Sequence, residues 1–389
     1  MRLVMVSGEP SGDRLGAPLI RALKARGPVE VTGVGGPLMQ EAGLVPLFDN
    51  DELAVMGLAE VVPKIPALLA RIRQTADHVT EVRPDALITV DSPSFGLRVA
   101  AKARAADPGL KTIHYVAPSV WAWRPGRAKH MAAYVDHVLA LLPFEPPWMT
   151  DAGMTCDFVG HPVIEHPVPD EAARAALRAD LGIGDRPMLV ILPGSRNGEV
   201  SRIAPPFGEV LARVQAQVPG LVAVVPAAGN VADAVKAQAA SWPGEVRVLD
   251  PRGMSPAASE ARKFAAFAAC DAALAASGTV SLELAAMGAP QVIAYRMNPL
   301  TAWIAERLIK VKYASLVNIL LDAPVAPEFL QRHFTPDAAA GAVTRLLTDK
   351  AAAQAQRSRA AEALEMLGRG GPAPSERAAD SVLRALGRG

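Results

Sequence analysis

Residues 189–196 read Leu189-Val190-Ile191-Leu192-Pro193-Gly194-Ser195-Arg196, and a helix-compatible stretch begins near Glu199. A continuous apolar run that ends in Pro-Gly is a strand buried on both faces, as in a parallel sheet. Strand, small-residue turn and helix in succession form the repeating unit of an α/β domain. In such a domain ligands bind beyond the carboxyl ends of the strands. Gly194 permits close backbone approach, Ser195 offers a hydroxyl, and Arg196 presents a planar cation suited to a diphosphate. An ordinary strand–helix turn with a surface arginine accounts for the same residues equally well. The stretch therefore decides the architecture before it decides the chemistry.

The unit recurs along the chain. Further strands are expected at Leu3–Val6, Val29–Val34, Ala86–Val90, Thr112–Val116 and His137–Leu142. In the second half they fall at Met188–Leu192, Leu221–Val225, Val246–Leu249, Ala272–Leu274 and Gln291–Ala294. Helical stretches at Arg14–Ala25, Leu68–Val82, Phe95–Ala105 and Arg127–Ala133 separate those of the first half. Strands alternating with helices imply an α/β fold with two Rossmann-like, doubly wound halves. Three prolines in Gly160–Pro169 mark a linker, so the expected domains are 1–163 and 164–345. Residues 346–389 form helices broken at Gly368–Pro374.

A chain of 389 residues, half of them apolar, is long enough for two cores. Its formal charge of +1 argues against broad capture of nucleic acid, which needs a basic face. Two distant cysteines, Cys156 and Cys270, form neither a disulfide framework nor a zinc site and fit a reducing compartment. The apolar run at the N-terminus is too short for a signal peptide and reads as a strand. No run approaches the roughly 20 residues of a membrane span. The chain is expected to be soluble or to lie on a membrane surface.

A second small-residue turn, Ser277-Gly278-Thr279, follows a strand and opens a helix that carries Glu283. Backbone N–H groups at such a turn suit phosphate, and Glu283 suits ribose hydroxyls. Helix capping by Ser277 or Thr279 is compatible with that reading. Together with Gly194, Ser195 and Arg196, these residues form the expected nucleotide-diphosphate site. The first half carries Ser7-Gly8-Glu9-Pro10-Ser11-Gly12-Asp13 and Gly33-Val34-Gly35-Gly36-Pro37 after its first two strands. These turns suit a second ligand, although glycines there also serve tight geometry alone.

Asp91 ends the strand Ala86–Val90 and is either a general base on an acceptor hydroxyl or a helix cap. Trp121, Trp123 and Arg124 lie in a loop after the next strand, where a binding surface competes with core packing. His161 sits at the linker and is a lesser candidate. Asp49-Asn50-Asp51 has a D-x-D form but lies away from the nucleotide turns. No metal is expected, because Arg196 and the backbone N–H groups supply the positive charge. Residues 56–73 are apolar with interspersed bases, as in a surface element that dips into an anionic bilayer or as in a helix packed on its own sheet.

These stretches, in this order, resemble the lipid-A-disaccharide synthases. The resemblance rests on Ser7–Asp13, Gly33–Met39, Leu53-Ala54-Val55-Met56-Gly57 and Tyr115–Arg124. It continues through Leu142-Pro143-Phe144-Glu145, Phe158-Val159-Gly160-His161-Pro162, Leu192–Arg196, Ala276–Glu283 and Ala294-Tyr295-Arg296-Met297. It covers about the first 320 residues. It implies a metal-independent, inverting glycosyltransferase of GT-B fold, two Rossmann-like domains facing a central cleft. The first domain would bind the acceptor and the second the UDP-sugar, with the C-terminal helices returning to the first domain of the same chain or of a partner in a homodimer.

The implied reaction moves 2,3-diacylglucosamine from UDP-2,3-diacylglucosamine to 2,3-diacylglucosamine 1-phosphate at the cytoplasmic face of a Gram-negative inner membrane. The family's strand-end carboxylate falls on Asp91 and its phosphate-binding arginine on Arg196. Its acceptor-side or cleft positions fall on Gly8, Glu9, Ser11, Gly12, Asp13, Gly36, Trp121, Trp123, Arg124, His161, Tyr295, Arg296 and Asn318. Its membrane-facing surface falls on Leu58, Val61, Val62, Ile65, Leu68 and Leu69. Three departures stand out. Ser94 replaces the second acid of D-x-P-D-F, Val317 replaces the proline of S-L-P-N, and Pro63 and Pro66 are expected to interrupt the membrane-facing helix. Another GT-B enzyme, such as an N-acetylglucosaminyltransferase or a UDP-sugar epimerase, and a non-catalytic ligand-binding protein are the competing readings.

Overall fold

A computed structural model describes residues 1–53, 58–124, 126–298, 302–303, 307–309 and 311–388; the side chains of 51 and 58–64 lie outside that description. The chain divides into two compact units, 1–165 with 370–389, and 166–369.

The first unit is built on seven strands: β1 (Arg2–Ser7), β2 (Glu30–Val34), β3 (Leu44–Pro46), β4 (Ala86–Val90), β5 (Thr112–Tyr115), β6 (His137–Ala140) and β7 (Thr155–Phe158). They run parallel in the order β3-β2-β1-β4-β5-β6-β7. The second unit has β8 (Met188–Leu192), β9 (Val222–Pro226), β10 (Glu245–Leu249), β11 (Ala272–Ala275), β12 (Gln291–Tyr295) and β13 (Glu328–Leu330). Its parallel order is β10-β9-β8-β11-β12-β13, the same winding. Strands β4 and β8 are buried at every position, which is why they read as unbroken apolar runs.

Three strands escape a periodicity reading. The edge strands β3, β7 and β13 are short and largely half-buried or exposed, so they lack an apolar run.

The C-terminal region does not return to the first unit as one block. Helix Lys350–Met366 stays in the second unit, where the Gln356 amide brackets the backbone of Gln291: its Oε1 accepts from the N–H at 2.5 Å and its Nε2 donates to the carbonyl at 3.1 Å. The chain changes unit at the Gly-Pro break, and only helix Pro374–Ala385 joins the first. That helix buries Ala378, Ala379 and Val382 in the core that holds Leu19 and Leu23 of helix Pro10–Ala25. A polar cluster fixes its angle. His137 on β6 meets the Ser381 hydroxyl at 2.7 Å, Ser381 donates to Asp157 on β7 at 2.6 Å, and Arg384 donates to the same carboxylate oxygen at 2.8 Å.

The helix expected to break at Pro63 and Pro66 runs uninterrupted over Leu58–Val82. Pro66 is exposed, so a carbonyl deprived of its N–H partner can turn to water. Further along, Ile72, Ala76 and Val79 anchor the helix in the core with Val4, Val6 and Leu87.

Burial holds the His137 imidazole below its ordinary value. Its contribution to stability is therefore complete above the unfolded value of 6.5 and fades as pH falls toward the folded one. Ser381→Ala should cost about 1–3 kcal/mol in urea titrations at pH 8, because it strips partners from His137 and Asp157. His137→Gln should flatten the loss of stability below about pH 6.5 relative to wild type.

Candidate functional site

In a doubly wound sheet, the chain leaves the central strand in one direction and returns on its other side. The loops after those two neighbouring strands part and leave a crevice at their carboxyl ends. In the first unit this reversal lies between β1 and β4, and in the second between β8 and β11. Four stretches singled out from sequence lie at these two points: Gly8–Glu9 with the first turn of helix Pro10–Ala25 after β1, Asp91–Ser94 after β4, Pro193–Arg196 after β8, and Ala276–Thr279 after β11.

In the first unit Asp91 and Ser92 both adopt left-handed backbone, with φ of 50° and 42°. Such conformations cost on the order of 1–3 kcal/mol each in non-glycine residues and persist only where the surroundings impose them. The Asp91 N–H is held by the Tyr115 carbonyl at 2.9 Å, and the Ser11 hydroxyl donates to Asp91 Oδ2 at 2.7 Å. Asp91 is not the helix cap: helix Gly96–Ala106 begins after Phe95 without a side-chain cap. Gly12 is required by space, since a Cβ there would lie 2.4 Å from Ser7 Oγ and 2.9 Å from the Val90 carbonyl. Gly8 and Gly36 are buried in their turns, while Glu9 and Ser11 are exposed.

Asp13, among the expected acceptor-side or cleft positions, bonds within the first unit. It is buried, and its carboxylate accepts from the N–H groups of Leu38 and Met39 at 3.0 and 2.9 Å, tying the start of the short helix Pro37–Glu41 to the first helix.

The loop after β5 is strained as well, with Val116 at φ 87°. The Trp121 indole donates to Glu145 Oε1 at 3.1 Å and stands edge-on to Phe144 at 5.0 Å. Glu145 Oε2 takes the N–H groups of Leu141 and Leu142 at 3.1 and 2.9 Å. Desolvation pushes the Glu145 carboxyl up to about 7, against the pull of these three donors. Trp123 remains 39 % exposed, with Arg124 stacked on its ring at 4.2 Å. His161 accepts the Val163 N–H at 3.1 Å.

In the second unit Gly194 has φ 117°, and a Cβ there would meet Glu199 at 2.7 Å. Glu199 organises this turn. It accepts the Ser195 N–H at 3.2 Å, the Tyr295 hydroxyl at 3.2 Å and, more loosely, the Arg196 guanidinium at 3.4 Å. The Arg196 side chain is otherwise 75 % exposed. Burial and Glu199 together raise the Tyr295 hydroxyl above its ordinary value.

Across the reversal, the Ala276 N–H bonds the Leu192 carbonyl at 2.9 Å, and the Ser277 hydroxyl donates to the Ala314 carbonyl at 3.2 Å. Gly278 and Thr279 are exposed, and neither Ser277 nor Thr279 caps the helix that follows. Glu283 pairs with Lys263 at 3.0 Å.

Asn318 is fully buried, so it supports the site from behind. Its amide spans the Ala326 backbone and Glu328, and Glu328 in turn accepts the N–H groups of Ala314 and Ser315 at 2.8 Å each. Arg296 is likewise engaged, donating to the Phe334 carbonyl at 2.8 Å. Sequence reasoning passed over Glu145, Glu199 and Glu328. For Glu199 the available signal was an acid four residues beyond Ser195, in a small-residue turn whose N–H groups need acceptors.

Of the membrane-facing set, Ile65 and Leu69 are exposed, whereas Leu68 packs on the unit's own core. Leu58, Val61 and Val62 lie in the helix with side chains outside the described residues. Among the described residues no helix is long and apolar enough to cross a membrane. Asp49 and Asn50 sit at the short 3-10 turn Asn50–Leu53, and the Asp51 side chain lies outside the described residues.

Glu145→Ala leaves an indole and two backbone N–H groups without their acceptor and should cost about 3 kcal/mol in chemical denaturation. Ionisation of a carboxyl raised from 4.5 to about 7 disfavours the fold, so wild type should lose up to about 3 kcal/mol relative to Glu145→Gln as pH rises through that window.

A family model described as lipid-A-disaccharide synthetase matches residues 3–379. Lipid-A-disaccharide synthase of Ruegeria pomeroyi is 52 % identical over 387 residues, covering 99 % of this chain and 96 % of that protein. The same enzyme of Rhodospirillum centenum is 46 % identical over 387 residues, covering 99 % and 94 %. The crystal structure of Acinetobacter baumannii MurG superposes with a TM-score of 0.57 at 15 % identity, covering 98 % of this chain and 99 % of that one. The chain is a glycosyltransferase of GT-B fold and belongs to the lipid-A-disaccharide synthase family.

Proposed function

We propose that this chain transfers 2,3-diacylglucosamine from UDP-2,3-diacylglucosamine to 2,3-diacylglucosamine 1-phosphate with inversion, releasing UDP. The family membership supports the reaction. The observation that supports its chemistry is Asp91, held in left-handed backbone at the end of β4 with one oxygen fixed by Ser11. A carboxylate presented in this way can take the proton of an acceptor hydroxyl. The hydroxyl oxygen then bonds to the anomeric carbon as the bond from that carbon to the UDP oxygen breaks, and the leaving electron pair departs on the diphosphate.

In the second unit the turn at Gly194–Arg196 and the turn at Ser277–Thr279 lie at neighbouring strand ends and offer N–H groups and one exposed guanidinium to that diphosphate. Glu283, pinned by Lys263, is placed to accept from ribose hydroxyls. Arg196 supplies the positive charge that a metal supplies in D-x-D enzymes, so the reaction is proposed to be metal-independent. Exposed Ile65 and Leu69 on a helix that also carries Arg71 and Arg73 support a peripheral seat on the cytoplasmic face of a Gram-negative inner membrane.

Asp91→Asn should lower turnover by about 10³-fold while leaving UDP affinity, measured by calorimetry, within about twofold of wild type. Arg196→Ala should do the reverse in kind, weakening UDP by about tenfold. Loss of UDP binding in Asp91→Asn would remove the base assignment. Activity lost in EDTA and restored by a divalent cation would remove the metal-independent reading.

A further inference from the structure

Several arginines of the first unit have carboxylate partners: Arg26 with Asp380, Arg71 with Glu52, Arg104 with Asp136, Arg384 with Asp157 and Arg388 with Asp85. Arg98 on helix Gly96–Ala106, Arg124 in the loop after β5, and Arg127 on helix Gly126–Met131 have no acidic partner among the described residues. All three line one cavity of about 720 Å³, together with His130 and an apolar wall that includes Leu97 and Tyr134. Pro93, two residues beyond Asp91, is on its rim. The Arg127 charge also adds to burial in holding His114 of β5 below its ordinary value.

Three like charges converging on one cavity repel one another, and a bound anion would relieve that repulsion. Guanidinium forks match phosphate oxygens in pairs, and an apolar wall beside them suits a phosphate carried on a larger, partly apolar molecule. A nucleic acid is disfavoured by the near-neutral chain.

We propose that Arg98, Arg124 and Arg127 form a phosphate-binding pocket beside Asp91 that receives the phosphate of an acylated sugar 1-phosphate, and so selects the acceptor. This rests on the transferase reading above and adds to it the residues that recognise the acceptor's charged end. The same chemistry would hold the phosphate of an anionic lipid headgroup, and the experiment separates the two sources.

Binding of 2,3-diacylglucosamine 1-phosphate and of its dephosphorylated counterpart is measured by calorimetry in detergent. Wild type is compared with Arg98→Gln/Arg127→Gln and with Arg124→Gln, each checked for fold by circular dichroism. In wild type the phosphorylated ligand should bind at least about tenfold more tightly, and in the variants the two ligands should bind within about twofold of each other. UDP affinity should not change. In a second arm, co-sedimentation with phosphatidylglycerol vesicles should be the same for wild type and variants.

If the variants lose vesicle binding but keep the preference for the phosphorylated sugar, the pocket holds a lipid headgroup and the acceptor assignment falls. If neither arm changes, the pocket assignment itself falls. Because these readouts are equilibrium binding, a wild-type chain without transferase activity would sink the proposed reaction without deciding the pocket.

Discussion

Parallel strands cannot be joined by tight turns, so each crossover must pass over one face of the sheet, and a sheet covered on both faces must reverse its winding once. That reversal is the constraint on which this molecule depends. In both units the central strand, β1 or β8, is flanked by its successor on one side and by the fourth strand of the series on the other. The loops beyond these central pairs are thus forced apart, with no helix to cover them. Asp91 and the two turns proposed to hold the diphosphate lie in those loops.

Holding such loops requires acceptors for backbone N–H groups that no strand or helix satisfies. The chain repeatedly uses a carboxylate for this purpose. Asp13 takes two N–H groups at the start of the short helix after β2, Glu145 takes two beside β6 and the Trp121 indole, Glu199 holds the turn after β8, and Glu328 holds the segment that meets Ser277. A carboxylate that receives two or three donors at a strand end fixes a turn more firmly than a single amide would, because charge-assisted bonds are the stronger ones. Rigidity of this kind is what allows Asp91, Ser92 and Val116 to sit in left-handed backbone that free chains avoid.

Much of this was legible in the sequence because fully buried parallel strands announce themselves as apolar runs, and because glycines and serines at their ends mark the turns. The edge strands β3 and β13 were not, since Leu44–Pro46 and Glu328–Leu330 are too short and too exposed to carry a period. Neither was the division of labour among polar residues. Asp13 and Asn318 carry the same chemistry as ligand-binding residues, and only their burial shows them bonded inward to backbone. Prolines misled in the other direction: Pro63 and Pro66 sit within one helix because tertiary packing of Ile72, Ala76 and Val79 fixes its axis beyond them. The change of unit at the Gly-Pro break was visible as a break, but its destination depends on contacts more than two hundred residues apart, such as Ser381 with His137.

The proposed reaction uses Asp91 for the acceptor and the Gly194–Arg196 and Ser277–Thr279 turns for the diphosphate. The most direct measurement incubates the purified chain with UDP-2,3-diacylglucosamine and 2,3-diacylglucosamine 1-phosphate in detergent containing EDTA, with products followed by mass spectrometry. The account predicts tetraacyl-disaccharide 1-phosphate and UDP in equal amounts; UDP release without disaccharide, or no product from well-folded protein, would contradict it.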